Sequence, residues 1–160
     1  MLIAIMKIKV TTTINTDEAS MWKELQKVSS LLYVSYPLII FRPQKGCLLP
    51  EIWSMQTAYT FKLFFLIILP LGSHCIEIVE LEKDKNSIRS QEHGKFINSW
   101  KHRITFKQNS TGNIDYMDEV EIDAGLLTLP VWMFSHVFYR YRQYRWRKFF
   151  TSNQLRSCTG

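Results

Sequence analysis

Two residues able to transfer protons stand in alternating apolar runs. His102 alternates with Trp100 and Ile104, and Asp118 follows two residues after Tyr116. Side chains two positions apart share one face of a strand, so we expect both polar groups to point into the interior. A buried carboxylate and imidazole are costly unless they pair, and a pair would fix the histidine tautomer. Paired in this way, His102 and Asp118 could anchor a ligand or move a proton.

A hairpin between the two strands would bring the pair together. If residues 108–112 form its loop, His102 stands opposite Asp118, and Trp100 stands opposite Val120. This register predicts direct contact between the imidazole and the carboxylate.

The same alternation places His74 and Glu92 on the inner face of the neighbouring strands. Together with His102 and Asp118 they form a predicted polar cluster on an apolar wall. Three interpretations stay open: a satisfied structural network, a ligand anchor or an acid–base group. The sequence predicts no metal and no cofactor, because it has no HExxH, no close-spaced ligand pair and no glycine-rich nucleotide motif.

These residues need a curved sheet to position them. Period-two alternation and turn residues predict strands over 3–14, 38–41, 56–69, 75–81, 87–93, 96–107 and 113–124. Short helices are expected after a cap at Thr16 or Asp17 and before Pro37, and a turn at 70–72. A long helix is predicted from Leu126 to about Thr151. This order is typical of an α+β fold in which the sheet wraps around the last helix.

Helical spacing predicts which face of the long helix meets the sheet. The predicted inner stripe is Leu127, Val131, Phe134, Val137, Phe138 and Tyr141, and the predicted outer flank is Trp132, His136 and Tyr139. The expected cavity wall combines helix and strand residues, namely Trp100, Tyr116, Phe134, Phe138 and Tyr141. Such a stripe is also what an ordinary core requires.

Length and composition favour a single globular domain. The chain has 160 residues, 46% hydrophobic and 14% aromatic, which excludes disordered, collagen-like and disulfide-rich classes. We expect one domain over 1–152 and a short tail over 153–160. Three scattered cysteines, no basic start before an apolar run and no apolar stretch approaching the roughly 20 residues of a membrane helix predict a cytoplasmic protein.

The positive charge is local. The net charge is +6, and residues 139–150 hold five basic and no acidic residues, so the remainder carries 15 basic against 14 acidic residues, or +1. This segment can offset the helix dipole and cover apolar surface. It can also contact an anionic membrane through Arg140–Lys148, or the acidic head of a ligand. A nucleic-acid partner is the least favoured interpretation, because it rests on this segment alone.

Three segments resemble a known superfamily. Ile97-Asn98-Ser99-Trp100-Lys101-His102-Arg103-Ile104, the run from Tyr116 to Thr128 and the run from Phe138 to Trp146 are similar to small bacterial proteins of the START-like (SRPBCC) superfamily, which includes the polyketide cyclases and dehydrases. The resemblance implies the helix-grip fold and a hydrophobic cavity under the long helix. It does not select a ligand.

Three functions therefore stay open. The protein could bind a small hydrophobic or amphipathic ligand between sheet and helix, with His102 and Asp118 as polar anchor. It could be a cyclase-type or dehydratase-type enzyme in which that pair transfers a proton. It could also be a structural or interaction protein with a filled interior.

Overall fold

A computed structural model describes residues 5–158 of the chain, with side chains described up to residue 153. Seven strands and three helices follow one another in the predicted order: one strand, two short helices, six strands and the long helix. They are β1 (Met6–Ile14), α1 (Glu18–Leu25), α2 (Val28–Ser35), β2 (Ile39–Pro43), β3 (Ala58–Phe65), β4 (Leu69–Glu82), β5 (Ser87–Gly94), β6 (Ile97–Gln108), β7 (Ile114–Asp123) and α3 (Thr128–Cys158). Residues 3 and 4 of the first predicted strand lie outside the described residues.

The strands form one antiparallel, curved sheet in the order β1-β7-β6-β5-β4-β3-β2. Helix α3 crosses its concave face, and side chains of α3 fasten it to the edge strand β1. Trp132 Nε1 donates to the Lys7 carbonyl at 2.8 Å, and Gln143 Nε2 donates to the Val10 carbonyl at 2.8 Å. The predicted α+β helix-grip fold is confirmed. No helix within residues 5–158 is long and apolar enough to cross a membrane.

The short helices have local sequence causes. Asp17 caps α1, since its carboxylate accepts a hydrogen bond from the Ser20 amide at 2.8 Å. Helix α2 ends at Ser35, two residues before Pro37, which cannot continue a helix. Both helices lie in the long connection between β1 and β2. Here they close one end of the space between the sheet and α3.

The turn predicted at 70–72 is wrong. The chain turns at Leu66 and Ile67, both with positive φ, and Pro70 lies inside β4. A proline is tolerated there because a bulge opposite Leu63 interrupts the ladder, and β4 pairs with β5 only from His74 onward. The missing proline N–H therefore costs no bond on that side.

The predicted hairpin register is wrong by two residues. His102 stands opposite Val120, and Asp118 stands opposite Ile104. Strand β6 continues through Gln108, and the loop is 109–113 rather than 108–112. The Asn109 side chain organises this loop by accepting hydrogen bonds from the backbone amides of residues 111 and 113, at 3.0 and 3.1 Å.

The predicted face of α3 is also partly wrong, and its end lies beyond Thr151, at Cys158. Tyr139, predicted on the outer flank, is 1% exposed, whereas Val137, predicted inside, is 61% exposed. The stripe was placed by apolar residues alone, but the inner face also holds the polar Arg142 and Gln143. Because these polar residues are buried, the inner face of the helix is centred at a different angle from the predicted apolar stripe.

Tyr141 points away from the cavity predicted for it. Its hydroxyl donates to the Tyr36 carbonyl at 2.7 Å, in an exposed contact between α3 and the end of α2. Phe134 and Phe138 do lie on the inner side, with their rings stacked at a centroid distance of 5.8 Å.

Candidate functional site

A cavity of about 530 Å³ separates the concave face of the sheet from α3. Strands β2 to β6 supply one wall, α3 supplies the other, and α1 with α2 contributes at one end. The lining is mostly aliphatic and aromatic. Polar side chains that reach it include Ser90, Glu92, His74, His102 and Arg142.

Strand register sets the polar residues side by side. Glu92 of β5 pairs with Trp100 of β6, and Ser90 pairs with His102 one step further along. These residues have the same parity on two adjacent strands, so all four side chains point to the concave face. His74 on β4 pairs with Gly94 and adds an imidazole to this group.

The His102–Asp118 contact predicted from the sequence is present. His102 Nε2 lies 2.8 Å from Asp118 Oδ1, although the two residues are diagonal rather than opposite neighbours. Asp118 also accepts hydrogen bonds from the Tyr116 hydroxyl at 3.2 Å and from Gln143 Nε2 at 2.9 Å. The carboxylate therefore ties β6, β7 and α3 together.

The pair is oriented with the imidazole toward the cavity. His102 lines the cavity and is 6% exposed, whereas Asp118 is 1% exposed and lies behind it with Tyr116, outside the lining. Burial acts to raise the pKa of Asp118, but the hydrogen bond to His102 and the positive charge of Arg142 lower the pKa by more than burial raises it. The net shift is downward, so Asp118 is a carboxylate at neutral pH.

A second pair lies on the neighbouring strands. His74 Nε2 is 2.8 Å from Glu92 Oε2, and Ser90 Oγ donates to Glu92 Oε1 at 2.7 Å. Burial acts to raise the pKa of Glu92, yet its hydrogen bond to His74 and the charge of the two histidines give a net lowering. The predicted four-residue cluster therefore consists of two His–carboxylate pairs. Among the described residues, no three His, Cys, Asp or Glu side chains are arranged to hold a metal ion.

Aromatic side chains from both layers complete the wall. Trp100 Nε1 donates to the Tyr139 hydroxyl at 3.2 Å, which joins β6 to α3. The Tyr139 ring also lies 5.0 Å from the His102 ring and 5.5 Å from that of Phe138. Of the predicted wall, Trp100, Phe134 and Phe138 line the cavity, while Tyr116 and Tyr141 do not.

The site also contains Arg142, Gln143 and Tyr139, which were not among the individual site residues predicted from the sequence, although they belong to the basic segment 139–150. Arg142 is 6% exposed and borders the cavity, and Gln143 binds Asp118. A signal was available for Arg142, which follows Phe138 by four residues and so shares its side of the helix. It was masked by the polarity of Arg142 and by the surrounding run of basic residues.

Solved structures share this fold. Protein CV1439 from Chromobacterium violaceum matches with a TM-score of 0.70 and 10% identity, covering 89% of this chain and 95% of its own. Protein Ms6760 from Mycobacterium smegmatis matches with a TM-score of 0.68 and 10% identity, covering 89% of both chains. At this identity the likeness establishes the fold alone. No protein-family model matches the sequence, and no curated protein matches it.

Proposed function

We propose that this protein binds a small hydrophobic or amphipathic ligand in the cavity between the sheet and α3. The observation that carries the proposal is the cavity itself, about 530 Å³ and walled mainly by apolar side chains. Ligand sites for small molecules are of this size and combine an apolar lining with few polar groups. His102 and Glu92 supply such groups within the wall.

The START-like (SRPBCC) assignment is part of this proposal. It rests on the three sequence segments that resemble the superfamily and on the helix-grip fold they form. A cytoplasmic location is proposed with it, supported by Cys47 and Cys75, which are both free thiols.

The test fills the cavity from the helix. Val131 lines the cavity, whereas Val137 lies on the same helix and faces solvent. Val131→Trp places a large ring in the ligand space, and Val137→Trp is the matched control. We expect the uncharged fluorescent probe N-phenyl-1-naphthylamine to bind the wild-type protein and the control equally. Affinity in Val131→Trp should fall at least about tenfold, a loss of roughly 1.4 kcal/mol.

Binding is measured by fluorescence titration, with thermal melting to show that each variant is folded. Equal binding by the two tryptophan variants would place the probe elsewhere and contradict the proposal. So would an absence of binding to the wild-type protein.

One observation favours a second candidate, an enzyme of the cyclase or dehydratase kind. His102 faces the cavity while Asp118 holds its Nε2 from behind, which is the arrangement of an oriented general base. Incubation with a 3-hydroxyacyl thioester, followed by mass spectrometry, would reveal loss of water, and His102→Gln would abolish it.

The structural alternative assumes a filled interior, which a cavity of this volume does not support.

A further inference from the structure

Arg142 is a cation held inside the molecule. Helix α3 carries it on the face that meets the cavity, and the residue is 6% exposed. Its guanidinium lies over the Tyr139 ring at 5.1 Å and near the Phe138 ring at 5.8 Å. These rings hold the side chain against the cavity wall, which is favourable for a desolvated guanidinium.

This cation has no direct anionic partner. Arg142 Nε has no hydrogen-bond partner, and Arg142 forms no ion pair with any residue in the described part of the chain. The nearby carboxylates are already engaged, Asp118 with His102 and Glu92 with His74. Burying a charge without pairing it is expensive, so an unpaired arginine facing a cavity indicates a ligand that completes it.

The other arginines of α3 show the contrast. Arg140 contacts the ring nitrogen and carbonyl of His136, and Arg147 donates to Thr12 Oγ1 at 2.7 Å. Arg145 donates to the Tyr33 carbonyl at 3.0 Å. Arg145 Nε, like Arg142 Nε, has no hydrogen-bond partner, but each of these three arginines makes at least one hydrogen bond, whereas Arg142 makes none with any described residue.

We propose that Arg142 binds the singly charged head of an amphipathic carboxylic acid, whose apolar part lies along the cavity wall. The proposal rests on the proposed function and names its ligand class. A carboxylate suits a guanidinium because two of its N–H groups can donate in parallel to the two oxygens. A doubly charged head is disfavoured, because Asp118 and Glu92 add negative charge nearby.

Tyr139 supplies a second donor beside Arg142. Its hydroxyl oxygen accepts from Trp100 Nε1, and its own proton has no acceptor among the described residues. Burial raises the pKa of Tyr139, so the hydroxyl stays protonated and able to donate. A head group at Arg142 could therefore receive hydrogen bonds from two side chains of one helix turn.

The ligand's apolar part has a path along the helix. Leu127 and Pro130 line the cavity near the start of α3, and Pro130 lies about 18 Å from Arg142 at about 1.5 Å per residue. Leu69 and Phe96 also line the cavity and are exposed, so an apolar part of the cavity wall reaches the surface. An amphipathic chain can therefore extend from Arg142 toward an apolar opening.

The test compares probes that differ only at the head. Octanoate, decanoate and dodecanoate are titrated against the corresponding alcohols by calorimetry at pH 7 and physiological salt. We expect wild-type protein to prefer the acid at least about tenfold, the order of one charge-assisted hydrogen bond. Arg142→Met should bind acid and alcohol alike, while Arg142→Lys should keep a reduced preference because it retains the charge.

Arg140→Gln is the matched control, because it removes an exposed charge from the same helix. It should keep the wild-type preference, and thermal melting should show that the variants are folded. If Arg142→Met still binds the acid about tenfold more tightly than the alcohol, the proposal for Arg142 is overturned. Equal binding of acid and alcohol by wild type would overturn it while leaving cavity binding intact. No binding of either probe would overturn both.

Discussion

Asp118 illustrates how one carboxylate can join strands, helix and cavity. It accepts three hydrogen bonds, from His102, Tyr116 and Gln143, while almost no part of it is exposed. Removing the charge should therefore affect both stability and the orientation of His102. Because the imidazole is the member of the pair that lines the cavity, the carboxylate acts on any ligand only through it.

We expect Asp118→Asn to lower the free energy of unfolding by about 2–4 kcal/mol at pH 7, because it breaks a buried charged pair. The folded-state pKa of Asp118 is lower than the ordinary value. Its stabilisation is therefore present above about pH 4 and is lost as the pH falls through the folded-state pKa. In urea unfolding, the difference in free energy of unfolding between the wild-type protein and Asp118→Asn should become smaller as the pH falls below about 4.

Glu119→Gln is the control for this comparison, since Glu119 lies next to Asp118 on the opposite face of β7. It should leave the acid dependence close to that of the wild-type protein. If the free energies of unfolding of wild type and Asp118→Asn differ by the same amount from pH 7 to pH 3, the role assigned to the carboxylate is contradicted.

At the scale of elements, the β6–β7 hairpin sets which residues meet. Asn109 accepts from the Thr111 amide and hydroxyl and from the Asn113 amide, and it donates to Asp115 at 2.9 Å. We expect Asn109→Ala to lower the free energy of unfolding by about 1–2 kcal/mol, because the loop loses its organising acceptor. Chemical unfolding at neutral pH measures this.

Thr111→Val is the partner variant, because it removes the two hydrogen bonds of the Thr111 hydroxyl, to Asn109 and from the Asn113 side chain, and leaves the amide bonds to Asn109. Its effect should be smaller. If it destabilised the protein as much as Asn109→Ala does, the loop would not depend on the asparagine acceptor.

This hairpin also shows how far sequence alone can reach. Period-two alternation correctly placed His102 and Asp118 on the inner face, because a strand leaves two choices for each side chain. The register depends instead on where the loop begins, and the Asn109 hydrogen bonds fix that position. The alternation of apolar residues along the strands carries no information about these bonds. The contact survived the error because diagonal neighbours remain within reach of an imidazole.

Helix α3 shows a different limit. Apolar spacing found Phe134 and Phe138 but not Arg142 or Tyr139, since a basic run is ordinarily a solvated face. The position of Arg142 depends on the helix being held at Trp132 and Gln143 by β1 carbonyls. Those contacts join residues far apart in the sequence, so a local pattern cannot reveal them.

At the scale of the whole molecule, the basic segment 139–150 is not one surface. Arg142 is buried, Arg145 packs over the Tyr33 ring at 4.1 Å, and Arg140, Arg147 and Lys148 are exposed. Contact of Arg140–Lys148 with an anionic membrane therefore remains a proposal that rests on three exposed charges. At about 1 kcal/mol for each basic residue near such a surface, any binding would be weak and sensitive to salt.

Ligand binding should stabilise the entire fold, because the cavity lies between its two layers. A ligand that binds only the folded state at a hundred times its dissociation constant adds about 2.7 kcal/mol. For a domain of this size that should raise the Tm by about 5–10 °C. Decanoate at that concentration should produce this shift in thermal melting of the wild-type protein and of Val137→Trp, but little in Val131→Trp, where the cavity is filled. An unchanged Tm in wild type despite saturation in calorimetry would mean that decanoate also binds the unfolded chain, and the cavity would not be its site.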